Sequence, residues 1–259
     1  MFELASVPLR LQLGITIMPN YPLILLTSSV HRKIKIYQAL SRSSAKSNPM
    51  TQTERKAIFG LASIYGFRML GLFLIVPVFA LYAEKLPDAT PLLIGLAVGV
   101  YGLTQAVLQI PFGLLSDRIG RKPVILAGLL LFALGSVVAA QAEDIWMILL
   151  GRAIQGSGAI AAAVMALAAD LTRDSQRTKA MATIGMTIGS AFALSLMAGP
   201  YLDSVIGISG IFWLTALLAL LGMLVIAFVV PTPVHQHVHR DAQPVPETFR
   251  RVLANTELL

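Results

Sequence analysis

YGLTQAVLQIPFGLLSDRIGRKPVILAGLLLFALGSVVAA, residues 101–140, is two apolar runs joined by a short charged turn. Within the turn, GLLSDRIGRKP from Gly113 to Pro123, Asp117 sits among Arg118, Arg121 and Lys122. Uninterrupted apolar stretches of this length do not suit a soluble core, whereas about 20 helical residues rising about 1.5 Å each cross a hydrocarbon layer of about 30 Å. Gly113 lets neighbouring helices approach closely, and Gly120 permits a tight turn. Pro123 suits a first helical turn, where a missing amide hydrogen costs nothing. The stretch therefore reads as two membrane helices and their connection.

The same alternation extends in both directions. Apolar spans are expected at 57–83, 92–115, 124–141, 145–169, 180–202 and 208–230, with short connections between them. The whole chain of 259 residues is 56% hydrophobic and only 13% charged, with a mean hydropathy of +0.75. Soluble domains carry about 25% charged residues. Here the charges also cluster between the apolar runs, so lipid is the solvent for most of the chain. The fold class is an all-α membrane protein of six transmembrane helices.

The net charge of +7 belongs to loops that orient a membrane protein, and no basic run lies on a soluble fold, so nucleic acid is not expected as a partner. Sixteen of the twenty Lys and Arg fall on one side of the six spans and only Lys85 on the other, which places both termini in the cytoplasm. With no Cys, disulfides, thiolate chemistry and Cys-based metal sites are excluded. His235, His237 and His239 alternate in a linker, where a metal site is not expected, and no cofactor is expected either.

Three regions follow. Residues 1–49 form an N-terminal extension whose apolar part is broken by Pro19, Asn20 and Pro22, a poor membrane helix and a poor signal peptide. Met50 opens a short start, MTQTERKAIFG, directly before the first strong span, and is the expected native start. Residues 50–230 form the six-helix domain. Residues 231–259 turn polar and proline-containing, a cytoplasmic linker that stops after TFRRVLANTELL.

The charged turn resembles the signature loop of the major facilitator superfamily, G-x-x-x-D-R-x-G-R-K/R. Gly113, Asp117, Arg118, Gly120, Arg121 and Lys122 match each defining position. A second stretch, GRAIQGSGAIAAA from Gly151 to Ala163, is similar to that family's fourth-helix pattern R-x-x-x-G, a motif linked to proton coupling. Gly199-Pro200 matches the antiporter motif G-P-x-x-G-G only in part, because Asp203 and Ser204 stand where its glycine pair belongs. The resemblance covers six helices, half of a twelve-helix transporter, built as two inverted three-helix repeats. It implies a cytoplasmic latch of Asp117, Arg121 and Asp170 that closes the inner face, with Asp117 facing a helix amino end in the other half.

Polar residues inside the spans are candidates for the translocation path. An arginine in a membrane interior costs about 2.5–3.5 kcal/mol on insertion scales, so it normally faces a cavity or a partner. Arg152, followed by Gln155, either does this or snorkels to the nearby interface. Arg68, deeper in its helix, is harder to snorkel. Gln105 and Gln109 share one helix face; with Tyr101 and Tyr65 they line a polar cleft or bond neighbouring helices, and the sequence leaves both open. The pairs Gly95/Gly99 and Gly185/Gly189 have the spacing of close helix packing. No Asp, Glu or His lies deep in any span, so a proton carrier is expected at helix ends such as Glu84 or Asp170, or in a second half.

The expected function is proton-driven efflux of a small solute by alternating access across a bacterial plasma membrane. The partners are the solute, protons, the bilayer, and a missing C-terminal half or a second copy. A truncated, non-transporting fragment or scaffold is the alternative. An intramembrane enzyme would need a buried catalytic pair, and none is present.

Overall fold

A computed structural model describes residues 49–232. Most of the N-terminal extension and of the C-terminal linker, including the three alternating histidines, lies outside the described residues. Helix α1 spans Gln52–Ala83. It starts where the Thr51 hydroxyl accepts from the Glu54 amide at 3.2 Å and the Glu54 carboxylate accepts from the Thr51 amide at 2.8 Å. This reciprocal cap satisfies two otherwise orphaned donors. Helix α2, Pro91–Ile119, is capped by Thr90 with proline in its first turn. It ends at Gly120, whose φ of 104° a side chain would strain. Helix α3, Arg121–Ala140, follows immediately.

The fourth crossing is broken. Asp144 caps α4, Ile145–Ser157; the helix stops at Gly158, and α5, Ala161–Asp170, completes the span. A side chain at Gly158 would collide with the Gly128 carbonyl oxygen, so the break lies where the backbones of α3 and α4 touch.

The last element, α6, covers Asp174–Phe228 in 55 residues. At 1.5 Å each that is about 83 Å, far more than the roughly 30 Å of a hydrocarbon core. It contains a bend at Gly207, with φ 68° and ψ 174°. Contacts with α1 show that the chain reverses there. Before the bend, a side chain at Gly66 would meet Thr187, the Ser195 hydroxyl donates to the Leu70 carbonyl, and Gly199 abuts Leu74. After it, the Thr215 hydroxyl donates to the Gly71 carbonyl, and Gly60 meets Val225 and Val230. The positions climb α1 and then descend it. The fifth and sixth spans are thus two antiparallel helical arms that meet at the non-helical Gly207, and the six expected crossings are present.

Two apolar clusters fill the bundle. One gathers Leu61, Ile64, Val124, Leu129, Val164 and Ile184; the other gathers Leu74, Phe79, Ala139, Ile148, Ile208 and Phe212. Arg68 lies between their contributions to α1, and with it a layer of buried polar groups, Ser136, Arg152 and Gln155. The outer face of α2 stays uncovered, with Leu103, Val107 and Ile110 exposed.

One expectation is corrected. Gly95, Gly99, Gly185 and Gly189 meet nothing within 4 Å of a would-be side chain among the described residues. Close approach is made instead by Gly135, whose added side chain would lie 2.6 Å from the Gly151 carbonyl oxygen, and by Gly151, which would lie 2.8 Å from the Ala139 amide nitrogen. Spacing shows that small residues share a face but not what that face meets.

Candidate functional site

Polar chemistry collects in two places, the end of the bundle that carries the charged turn and the layer between the apolar clusters. At the first, Gly120 turns the chain so that Arg121 opens α3 beside the last turn of α2. Arg121 pairs with Asp117, donates from Nη1 to the Ser116 hydroxyl at 2.9 Å, and holds Nε 3.4 Å from Asp170 Oδ2 at the end of α5. One guanidinium thus joins the second, third and fourth crossings. Asp117 remains 55% exposed, so one face of its carboxylate is open. Arg118 is exposed in the last turn of α2, where a cation favours the helix dipole. Lys122 donates to the Val230 carbonyl, tying α3 to the end of the sixth span.

A second ion pair stands at the same end. Glu54 is buried, and its Oε1 accepts from the Arg173 amide at 3.1 Å and from Arg173 Nε at 2.9 Å. Its Oε2 accepts from Arg173 Nη2 at 3.0 Å and from the Thr51 amide. A carboxylate between two N–H groups of one guanidinium is the strong, orientation-specific form of this contact. Glu54 lies ahead of the apolar run that begins at residue 57. Its carboxyl is pushed down to about 2, chiefly by the Arg173 side chain, against the opposing effect of burial and with help from the Thr51 amide. The same bond raises the Arg173 guanidinium.

Within the layer, Arg152 is almost fully buried. Its Nε donates to the Ala97 carbonyl at 3.3 Å, its Nη1 donates to Gln155 Oε1 at 3.1 Å, and its guanidinium lies 4.9 Å from the Tyr101 ring centre. Gln155 in turn donates to the Ser136 hydroxyl at 2.7 Å. Arg68 is 1% exposed and donates from Nη2 to Gln105 Oε1 at 3.1 Å, with its guanidinium 5.4 Å from the Phe132 ring centre. Arg68 Nε and Nη1, the Tyr101 hydroxyl and Gln109 Oε1 are buried without a hydrogen-bond partner among the described residues.

The residues expected from sequence thus fall into two groups. Gly113, Asp117, Arg118, Gly120, Arg121, Lys122 and Asp170 share the turn end, and Arg68, Tyr101, Gln105, Gln109, Arg152 and Gln155 lie along or beside the buried layer. Arg152 does not snorkel. The sequence reading missed Ser116, Ser136 and the Glu54–Arg173 pair. Glu54 was legible as half of a capping box, Thr51-Gln52-Thr53-Glu54, but its bond to a residue 119 positions away was not. Among the described residues no group of His, Asp or Glu is placed to hold a metal ion.

Against known proteins, the sequence profile of the Major Facilitator Superfamily matches residues 61–258. The chain is 52% identical over 210 residues to the inner membrane transport protein YajR of Escherichia coli strain K12, covering 81% of this chain and 46% of that protein. It is 36% identical over 138 residues to an Escherichia coli class B tetracycline resistance protein, covering 52% of this chain and 33% of that one. The crystal structure of the human organic anion transporter MFSD10 superposes with a TM-score of 0.60 at 20% identity, over 72% of this chain and 50% of that one, a likeness of fold alone. The chain spans about half the length of the curated relatives it matches first.

Proposed function

Because this chain belongs to the Major Facilitator Superfamily, we propose that it forms the first half of a proton-driven exporter of small solutes working by alternating access, with Asp117, Arg121 and Asp170 as its inner gate. The observation that carries the gate is one guanidinium shared by carboxylates from two other crossings, at the end of the bundle richest in Lys and Arg. That charge bias supports an orientation with the turn and both termini in the cytoplasm of a bacterial inner membrane. The exposed face of Asp117 is the point at which a second six-helix half would complete the closure. The direction of transport draws on the tetracycline resistance relatives, and the proton carrier is assigned to helix-end carboxylates such as Asp170 or to the second half. Arg68, Tyr101, Gln105, Gln109, Arg152 and Gln155 are assigned to the translocation path.

The test uses inverted membrane vesicles energised by respiration, with a pH-sensitive dye inside and a panel of solutes added outside. Solute-triggered loss of the proton gradient is expected, and Asp117→Asn should cut its rate about tenfold or more, equivalent to about 1.4 kcal/mol, while the protein remains in the membrane. An unchanged rate removes the gate assignment. A chain that inserts and moves no solute, alone or beside a second half, supports the scaffold reading instead.

A further inference from the structure

We propose that Arg68 is the anion-contacting group of the translocation path, so that the solute recognised carries one oxyanion, a carboxylate or a phosphate, whereas Arg152 is a positioning residue. The proposal rests on the transporter reading above and names its substrate class.

The two buried arginines differ in how their donors are used. Arg152 is held from three sides, by the Ala97 carbonyl, by Gln155 braced on Ser136, and by the face of Tyr101. Its own contacts belong to α2 and α4, and Gln155 extends them to Ser136 on α3, so it joins helices. Among the described residues Arg68 has one hydrogen bond, to Gln105, and two nitrogens whose N–H groups have no acceptor. Buried donors are normally satisfied, and an orphan on a cation in a low-dielectric interior is costly. No ion pair reaches Arg68 among the described residues. Their acidic groups, Glu54, Glu84, Asp88, Asp117, Glu143, Asp144, Asp170, Asp174 and Asp203, all lie at helix ends or in connections, apart from Asp203 near the Gly207 bend.

The surroundings set what could satisfy it. Arg68 and Tyr101 both contact Phe132, the first with its guanidinium 5.4 Å from the ring centre and the second edge-on with ring centres 6.4 Å apart. The Tyr101 hydroxyl is a second orphan donor. Ala133, Ala219 and Leu72 pack in one apolar cluster with Phe132 and Tyr101. Two kinds of unsatisfied donor, one permanently cationic, beside aromatic and aliphatic walls suit an oxyanion on a small, partly apolar body. A single open guanidinium suits one oxyanion group rather than two. A cationic solute would meet Arg68 and Arg152 as like charges in a medium that screens them poorly.

The experiment is equilibrium binding to the purified chain in detergent, with benzoate and inorganic phosphate as probes and benzylammonium and benzyl alcohol as charge controls. Saturable binding of benzoate, phosphate or both is expected, with the controls at least about tenfold weaker. Arg68→Gln should lower affinity for the anion about tenfold or more, and Arg68→Lys should restore part of it. Tyr101→Phe, which keeps the ring over Arg152, should weaken the anion about threefold to tenfold and serves where Arg68→Gln does not fold. Arg152→Gln should lower the melting temperature and change anion affinity less than Arg68→Gln does. Failure of both anions to bind, equal binding of benzylammonium, or unaltered affinity in Arg68→Gln or Tyr101→Phe overturns the proposal. The vesicle assay separates this from the transporter reading. Proton-coupled movement of cations that is insensitive to Arg68→Gln removes the anion class and leaves transport standing, whereas anion binding without movement of any solute does the reverse.

Discussion

Glu54 receives four N–H groups on its two oxygens, three from Arg173 and one from Thr51. It closes a helix and joins the first crossing to the start of the fifth in one contact. Its folded carboxyl titrates at about 2, against an ordinary value of 4.5. A depressed carboxyl stabilises the fold fully above about 4.5, and that stabilisation is lost as pH falls from there towards 2. Melting followed by tryptophan fluorescence in detergent should therefore show the native protein losing stability across that window, and Glu54→Gln starting lower and losing less. Parallel curves for the two proteins would contradict this. Ser136 offers a second test. Without its hydroxyl the Gln155 amide has no acceptor there, and Ser136→Ala should cost about 1 kcal/mol, read from the same melting curves. Asp170 could be picked out as a partner of Arg121 because both sit beside recognisable patterns. Ser136 and the Ala97 carbonyl could not, because a lone serine in an apolar run and an unremarkable backbone group acquire meaning only when three helices meet.

Hydropathy locates the elements well, since a bilayer demands long apolar runs and the charges fall between them. It is less informative about how each crossing is built. The fourth crossing reads as one run from 145 to 169, yet the chain breaks at Gly158 against Gly128. The fifth and sixth read as separate spans, and the non-helical backbone of Gly207 does divide them, although almost no loop separates the two arms. Glycine spacing is the weakest guide, and substitutions make the point quantitative. Gly135→Ala would push a methyl group into the backbone at Gly151 and Gln155, and overpacking of this kind costs about 1–3 kcal/mol. Gly95→Ala meets open space and should leave the melting temperature unchanged or slightly raised, because alanine favours a helix by about 1 kcal/mol. A reversal of that order would show that α2 is packed differently from the description above.

For the whole molecule, the number of crossings and the inner turn were legible, but the sidedness is inferred from charge alone. The absence of Cys makes it directly measurable. Gln141→Cys lies exposed between α3 and α4, and Ser175→Cys lies exposed at the start of α6, at opposite ends of the bundle. A membrane-impermeant maleimide added to intact cells should label the first and reach the second only after permeabilisation. The opposite pattern would invert the proposed orientation and with it the gate.

Where α3 meets α4, backbone lies on backbone at Gly128, Gly135, Gly151 and Gly158, with almost no side-chain cushion between them. Sliding needs compliant material at the seam, and this seam has none. The two elements should travel as a single plank, leaving slack to the thinly seated α2. Crosslinking across the plank should be harmless to whatever motion the protein makes, while a bridge from α1 to α2 should freeze it.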